Sequence, residues 1–194
     1  YWIAEGSKGL RSIQRKGSNS FEALNEPIIL DGPYSNSAFD IVCKNDKVYM
    51  IIGGKDLLNG KRFDKGGYIL TYDYDKWSFI DPKEAQKKLN LPRNPRDYTS
   101  IAVTTDDSND EIVYASSMGD GVIQYKNGTP VQSYNEKNAF KETAGGYGSG
   151  YCYIDGLAFD KNGNLWMTSS EVNHAVLVLD KAGAWHRLDI EQLR

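Results

Sequence analysis

The chain has 194 residues, with 23 Lys and Arg against 26 Asp and Glu, and a formal net charge of −3. That balance makes no electrostatic case for nucleic acid or a lipid surface, and no run of 18 apolar residues offers a membrane span. Thirteen Tyr and four Trp against three Met suit a pleated, half-buried surface and point to an all-β protein.

In chain order, the first stretch is Tyr1 to Ala4, followed by Gly9 to Ile13 and a weaker strand near Ser20 to Leu24. No first strand precedes Tyr1, so the sequence reads as a piece of a longer chain. The second stretch opens with Ala38 to Cys43, turns at Asn45-Asp46, and continues through Val48 to Ile51, Gly67 to Tyr72 and Trp77 to Ile80. A short helix is predicted near 82–90, where Asp81 can cap, Pro82 fits the first turn and Pro92 stops the helix.

A third set of strands follows: Tyr98 to Val103, Ile112 to Ser116, Val122 to Tyr125 and Val131 to Tyr134, with Asn127-Gly128 as a tight turn. The glycine-rich loop Ala144 to Tyr151 leads to the clearest stretch. There, Leu157 to Phe159, Leu165 to Ser169, Ala175 to Leu179 and Trp185 to Leu188 read as four strands, joined at Asn162-Gly163 and Lys181 to Gly183.

Trp2, Tyr49, Val113 and Trp166 occupy equivalent places in these sets, 47, 64 and 53 residues apart. Repeats of that size with about four strands each are the signature of a propeller. The expected fold is therefore an all-β propeller segment of about four four-stranded blades (approximately 1–30, 37–91, 98–140 and 154–190), with the helix as an insertion. The helix accounts for the longest spacing. Cys43 and Cys152 fall in blades that are not neighbours and are expected to be free, buried thiols.

In such an architecture the loops from second to third strands and from blade to blade emerge on one face. Here they are the long ones, including Asn25 to Ser37, Lys55 to Lys65, Pro92 to Tyr98 and Phe140 to Tyr153. Long loops on a rigid scaffold carry binding. The residues on them suited to a partner or an anionic glycan are Lys55, Lys61, Arg62, Lys65, Arg93, Arg96, Tyr147, Tyr151 and Tyr153. Asp56, Asp64 and Asp97 are interspersed and reduce the net charge. Asp106 to Glu111 resembles a calcium loop in composition but lacks the glycine of an EF-hand, and reads as a solvated hairpin. His174 and His186 have no metal-ligand spacing around them, and no nucleophile elbow or Ser-His-Asp order is present.

Two resemblances bear on function. Asp160-Lys161-Asn162-Gly163-Asn164-Leu165-Trp166-Met167-Thr168 resembles the repeats of the two-component-regulator propellers common in Bacteroidota. Trp2 to Glu5 with Gly9-Leu10-Arg11, then Asp31-Gly32-Pro33 and Tyr49 to Gly54, is similar to the PorZ-type propeller family of the type IX secretion system. The resemblance implies a non-enzymatic protein of the periplasm or cell surface, without a cofactor. It would engage a protein of the secretion machinery or an anionic polysaccharide. The alternative it implies is the periplasmic sensor propeller of a hybrid two-component regulator. Asp155-Gly156-Leu157 is also similar to the calcium-dependent lactonase propellers, where Asp155 would bind the metal. Against that, those enzymes also supply an Asn from an earlier blade, and here only Asn36 stands nearby.

Overall fold

The computed structural model describes residues 1–4, 10–28, 32–35, 37–140, 150–170 and 172–188. The chain divides into two compact units, Tyr1–Pro33 and Tyr34–Arg194. The first holds β1 (Trp2–Ala4), β2 (Leu10–Arg15) and β3 (Phe21–Ala23), three antiparallel strands in the order β1-β2-β3. Asn25 ties the β2–β3 hairpin, its Oδ1 accepting from the backbone N of Ser12 at 2.8 Å and from the Ser12 hydroxyl at 2.7 Å.

Among its described residues the second unit is mostly β, with one helix. Its first sheet is an antiparallel meander of β4 (Ala38–Lys44), β5 (Lys47–Ile52), β6 (Ile69–Asp73) and β7 (Lys76–Ile80). The strands β8 (Tyr98–Thr105), β9 (Glu111–Gly119), β10 (Gly121–Lys126) and β11 (Thr129–Tyr134) form a second meander. A third consists of β12 (Cys152–Phe159), β13 (Leu165–Ser169), β14 (Val176–Leu179) and β15 (Trp185–Leu188). The second and third meanders join into one sheet, because Cys152 and Tyr153 pair with Gly119 and Met118 at the end of β9. This non-local pairing extends β12 five residues ahead of the expected strand start and corrects the Phe140 to Tyr153 loop.

Helix α1 (Pro82–Leu89) lies where its signals place it. Asp81 accepts from the backbone N of Lys83, Pro82 takes the first turn, and Asn90 closes the helix in the left-handed region at φ 51°. Ala85 is its most buried residue, and the helix packs against β11.

The middle meander is covered on both faces, and the two-residue period of its strands sorts its side chains. Ile101, Val103, Val113, Ala115, Ile123 and Tyr125 pack with Tyr49, Ile51 and Ile69 of the first meander. Their alternating neighbours Ala102, Ile112, Tyr114 and Val122 pack with Ile154, Leu165, Met167, Leu177 and Leu179 of the third. Each outer meander keeps an exposed face, on which Ile41, Phe79 and Trp166 lie. Cys152 is buried as expected, but Cys43 is exposed. It shares the outward side of β4 with Ile41, two residues away, so alternation carries it to solvent.

The first strands β4, β8 and β12 lie next to one another, and each carries a bulge at its start, after Ala38, Tyr98 and Ile154. One bulge is tied to the next. Asp40 Oδ2 accepts from the Ser100 hydroxyl and from the backbone N of Ile101, both at 3.1 Å. Ser100 Oγ in turn accepts from the backbone N of Leu157 at 3.2 Å. Side chains at bulges thereby satisfy the donors that the irregular ladder leaves over.

Candidate interaction surface

The loop between β5 and β6 leaves its sheet through Gly53 and Gly54, both at positive φ. A Cβ on Gly53 would lie 2.3 Å from the backbone N of Tyr98, so only glycine lets the loop pass this close to β8. Lys55 then bridges Arg62 as a β-pair, and Gly66 bridges Arg96, which ties the loop to the segment before β8.

Three ion-paired groups fasten this face. Lys55 Nζ lies 2.5 Å from Asp155 Oδ2 and 2.5 Å from the Tyr153 hydroxyl. Burial pulls the Lys55 pKa down, but its bonds to Asp155 and Tyr153 outweigh this and hold it above its ordinary value. The second group centres on Asp97, which is fully buried. Its carboxylate accepts from Arg62 Nε at 3.0 Å and from the backbone N of Asp64 and Lys65 at 3.1 and 3.0 Å. The Arg62 guanidinium also faces the ring of Tyr151 at 6.0 Å, and Asp97 outweighs burial to raise the Arg62 pKa. In the third group, Arg93 Nε donates to Asp120 Oδ1 at 2.8 Å, while the backbone N of Arg96 donates to Asp120 Oδ2 at 3.1 Å. Asp64 lies 3.8 Å from Arg62 and 3.7 Å from Arg96, linking the second group to the third.

Lys55, Arg62, Arg93, Arg96 and Tyr151 on connected loops, and Tyr153 at the start of β12, are thus brought into paired groups. Lys61 is exposed on the returning arm of the loop. Lys65 Nζ donates to the Ser37 hydroxyl at 2.9 Å and lies 5.3 Å from the Phe63 ring centroid. Tyr151 is only 6 % exposed, so its ring is part of the packing beneath the loops and offers little face to a sugar. Tyr147 and Asn36 fall outside the described residues. Asp97, read from the sequence only as an interspersed negative charge, and Asp120, which the sequence did not single out, hold the arginines in place. Nothing local in Pro95-Arg96-Asp97 or Gly119-Asp120-Gly121 announces a buried anchor.

No family model matches the chain, and no curated protein sequence matches it. Among solved structures it is similar to PorZ, a bacterial surface component of the type-IX secretion system of Porphyromonas gingivalis. The TM-score is 0.66 at 24 % identity, over 98 % of this chain and 24 % of that one. At that identity the likeness shows the fold, and the chain spans about a quarter of PorZ's length. An α-L-arabinofuranosidase from Clostridium thermocellum matches at a TM-score of 0.42 and 12 % identity, over 81 % of this chain and 58 % of that one.

Asp155, the expected metal ligand of the lactonase resemblance, has the Lys55 ammonium against one of its oxygens. Among the described residues no three His, Cys, Asp or Glu side chains are grouped so as to hold a metal ion. The acidic hairpin after β8 is turned inward on a lysine: Lys126 Nζ lies 2.8 Å from both Asp106 and Asp110. A cleft of about 660 Å³ opens beside this hairpin, with Tyr114, Tyr134 and Phe159 among its lining residues. Its polar groups largely satisfy one another, as where the Tyr134 hydroxyl donates to Gln124 Oε1 at 2.9 Å.

Proposed function

We propose that the chain is a non-catalytic scaffold of the periplasm or cell surface, part of a β-propeller that serves type IX protein secretion and surface attachment. Its long-loop face would contact a protein of that machinery or an anionic glycan. The propeller reading is supported by three successive four-stranded meanders whose first strands lie side by side. The likeness in fold to PorZ supports the secretion setting.

The observation that carries the binding assignment is the network joining Arg62, Arg93 and Arg96 to Asp97, Asp120 and Asp64. Arg93 and Arg96 remain 50 % and 49 % exposed; Arg93 rests its Nε and Nη2 on Asp120, and Arg96 has its Nη1 3.7 Å from Asp64. A guanidinium held this way keeps outward N–H donors in a fixed fork, which suits bidentate contact with a carboxylate or phosphate. The surrounding carboxylates leave little net positive charge, so the face recognises placed anionic groups by geometry rather than by bulk attraction.

The test is retention on an immobilised polyuronate, together with cross-linking to an envelope extract, for the wild type and for Arg93→Ala/Arg96→Ala. The substituted chain is expected to lose retention or its cross-linked partner. Unchanged behaviour in both assays would discard this surface.

A further inference from the structure

The cleft of about 660 Å³ lies between the second and third meanders, and its two walls differ in chemistry. One wall is a face of the second meander, where Tyr114 of β9 stands directly opposite Gln124 of β10 and Tyr134 follows on β11. The other wall is apolar, built from Phe159, Leu165 and Leu179 of the third meander. The walls converge where the Tyr114 and Phe159 rings meet edge to face, their centroids 5.9 Å apart. Tyr114 is only 9 % exposed. Its hydroxyl has no hydrogen-bond partner among the described residues, whereas a phenol buried this far ordinarily has one. Gln124 is half engaged. Its Oε1 accepts from the Tyr134 hydroxyl, and its amide nitrogen has no partner among the described residues. Burial raises the pKa of both Tyr114 and Tyr134, so each keeps its proton to donate.

The charges that line the cleft cancel, with three lysines against three aspartates. Lys126 is paired with Asp106 and Lys181 with Asp107, while Asp180 lies against His186. Lys161 is exposed. The lining therefore offers no net charge to draw in a carboxylate or a phosphate. Tyr114 and Gln124 place donors side by side on one wall, which calls for adjacent oxygen acceptors on a ligand. The other wall calls for C–H groups, and the negative face of an aromatic ring suits polarised ones. Apolar walls with a few placed polar groups, enclosing roughly 300–1,000 Å³, are the usual form of a small-molecule site. A sugar ring combines a hydroxyl edge with a C–H face. We propose that this cleft binds a short neutral saccharide, with ring oxygens or hydroxyls on Tyr114 Oη and Gln124 Nε2 and a C–H face against the apolar wall. The site shares no side chain with the basic loop face and does not rest on that reading.

The experiment is saturation-transfer NMR of the 194-residue chain with the methyl glycosides of glucose, galactose, mannose and N-acetylglucosamine at millimolar concentration. The methyl glycoside of glucuronic acid is the charged control. At least one neutral glycoside is expected to receive saturation, and to bind more tightly than the glucuronide. Tyr114→Phe removes only the unpartnered hydroxyl and is expected to weaken that glycoside about fivefold on titration. Its Tm should equal or exceed that of the wild type, because a buried hydroxyl without a partner does not stabilise the fold. Lys161→Ala should leave neutral binding unchanged. Absence of transfer to all the neutral glycosides overturns the proposal, as does a Tyr114→Phe chain that binds like the wild type. Glucuronide binding as tight as that of the best neutral glycoside, and lost in Lys161→Ala, would make the cleft an anion site and overturn the neutral assignment. Arg93→Ala/Arg96→Ala should leave this binding in place, so failure of the basic face is seen separately.

Discussion

The ammonium of Lys55 lies 2.5 Å from Oδ2 of Asp155, across 100 residues of sequence. The pair joins the β5–β6 loop to β12. Lys55 is 18 % and Asp155 35 % exposed, so their charges are only partly screened.

Lys55→Met should therefore strand a half-buried carboxylate and cost about 1–2 kcal/mol, the low end for a broken pair because Asp155 keeps some water. For a chain of this size that is a fall in Tm of roughly 2–8 °C. Melts of the wild type in excess EDTA and in millimolar calcium are expected to superimpose, since Lys55 already neutralises Asp155. A bound ion at about 100 times its Kd would add about 2.7 kcal/mol. A calcium-dependent rise of that size would return Asp155 to the role of a ligand.

Asp97 should be far less forgiving than the arginines around it. Its buried carboxylate satisfies Arg62 Nε and two backbone N–H groups. Asp97→Ala leaves all three without their acceptor and is expected to cost about 3–5 kcal/mol. Arg93→Ala, on a half-exposed pair, should cost less than about 1 kcal/mol. Urea midpoints at unchanged m-value measure both, and equal costs would contradict the assignment of Asp97 as the anchor.

Tyr98 and Tyr125 offer a test of hydrogen-bond accounting. Both are fully buried, and their hydroxyls lie 2.6 Å apart. Replacing either alone by Phe deprives the other hydroxyl of this partner, at about 1–3 kcal/mol, whereas removing both hydroxyls costs much less than the two single changes together. The expected coupling in a double-mutant cycle is about 0.5–3 kcal/mol. Additive single effects would show that each hydroxyl has another adequate partner.

The strands were legible because their alternation and turn residues are local. Asn127 and Gly128 both take positive φ, as a tight hairpin requires, and Asp81-Pro82 starts the helix where its chemistry says it should. Even the continuous apolar runs of β8 and β9 have a readable cause, since that meander is covered on both faces. The start of β12 was not legible. Its pairing with Gly119 and Met118 depends on a strand some 35 residues earlier, and Gly156 within it reads as a break. The loop positions of Lys55, Arg62, Arg93 and Arg96 were legible, and the Gly66–Arg96 bridge connects those loops. Their chemistry was not, because partner choice between Lys55 and Asp155 or Arg62 and Asp97 is set by tertiary approach. No spacing encodes that approach.

The turn at Asp160 links the repeat sequence to acid sensitivity. Asp160 Oδ1 accepts from the backbone N of Asn162 and Asn164 at 2.8 and 2.9 Å. Its Oδ2 accepts from Asn164 Nδ2 and Trp166 Nε1 at 2.8 and 3.0 Å. The Trp166 bond first, then those from Asn164, push the carboxyl down to about 2. An unfolded Asp titrates near about 3.9, so between these values the unfolded chain binds more protons and stability rises with pH. The contribution is complete above about pH 4 and disappears as pH falls through about 2. Asp106, Asp110 and Asp180 are lowered in the same direction by their own hairpin partners. Asp160→Asn should therefore give a Tm-against-pH curve with a shallower slope from about pH 4 to pH 2, approaching the wild-type curve at the acid end. Parallel curves across that interval would mean that the Asp160 bonds do not distinguish the folded from the unfolded chain.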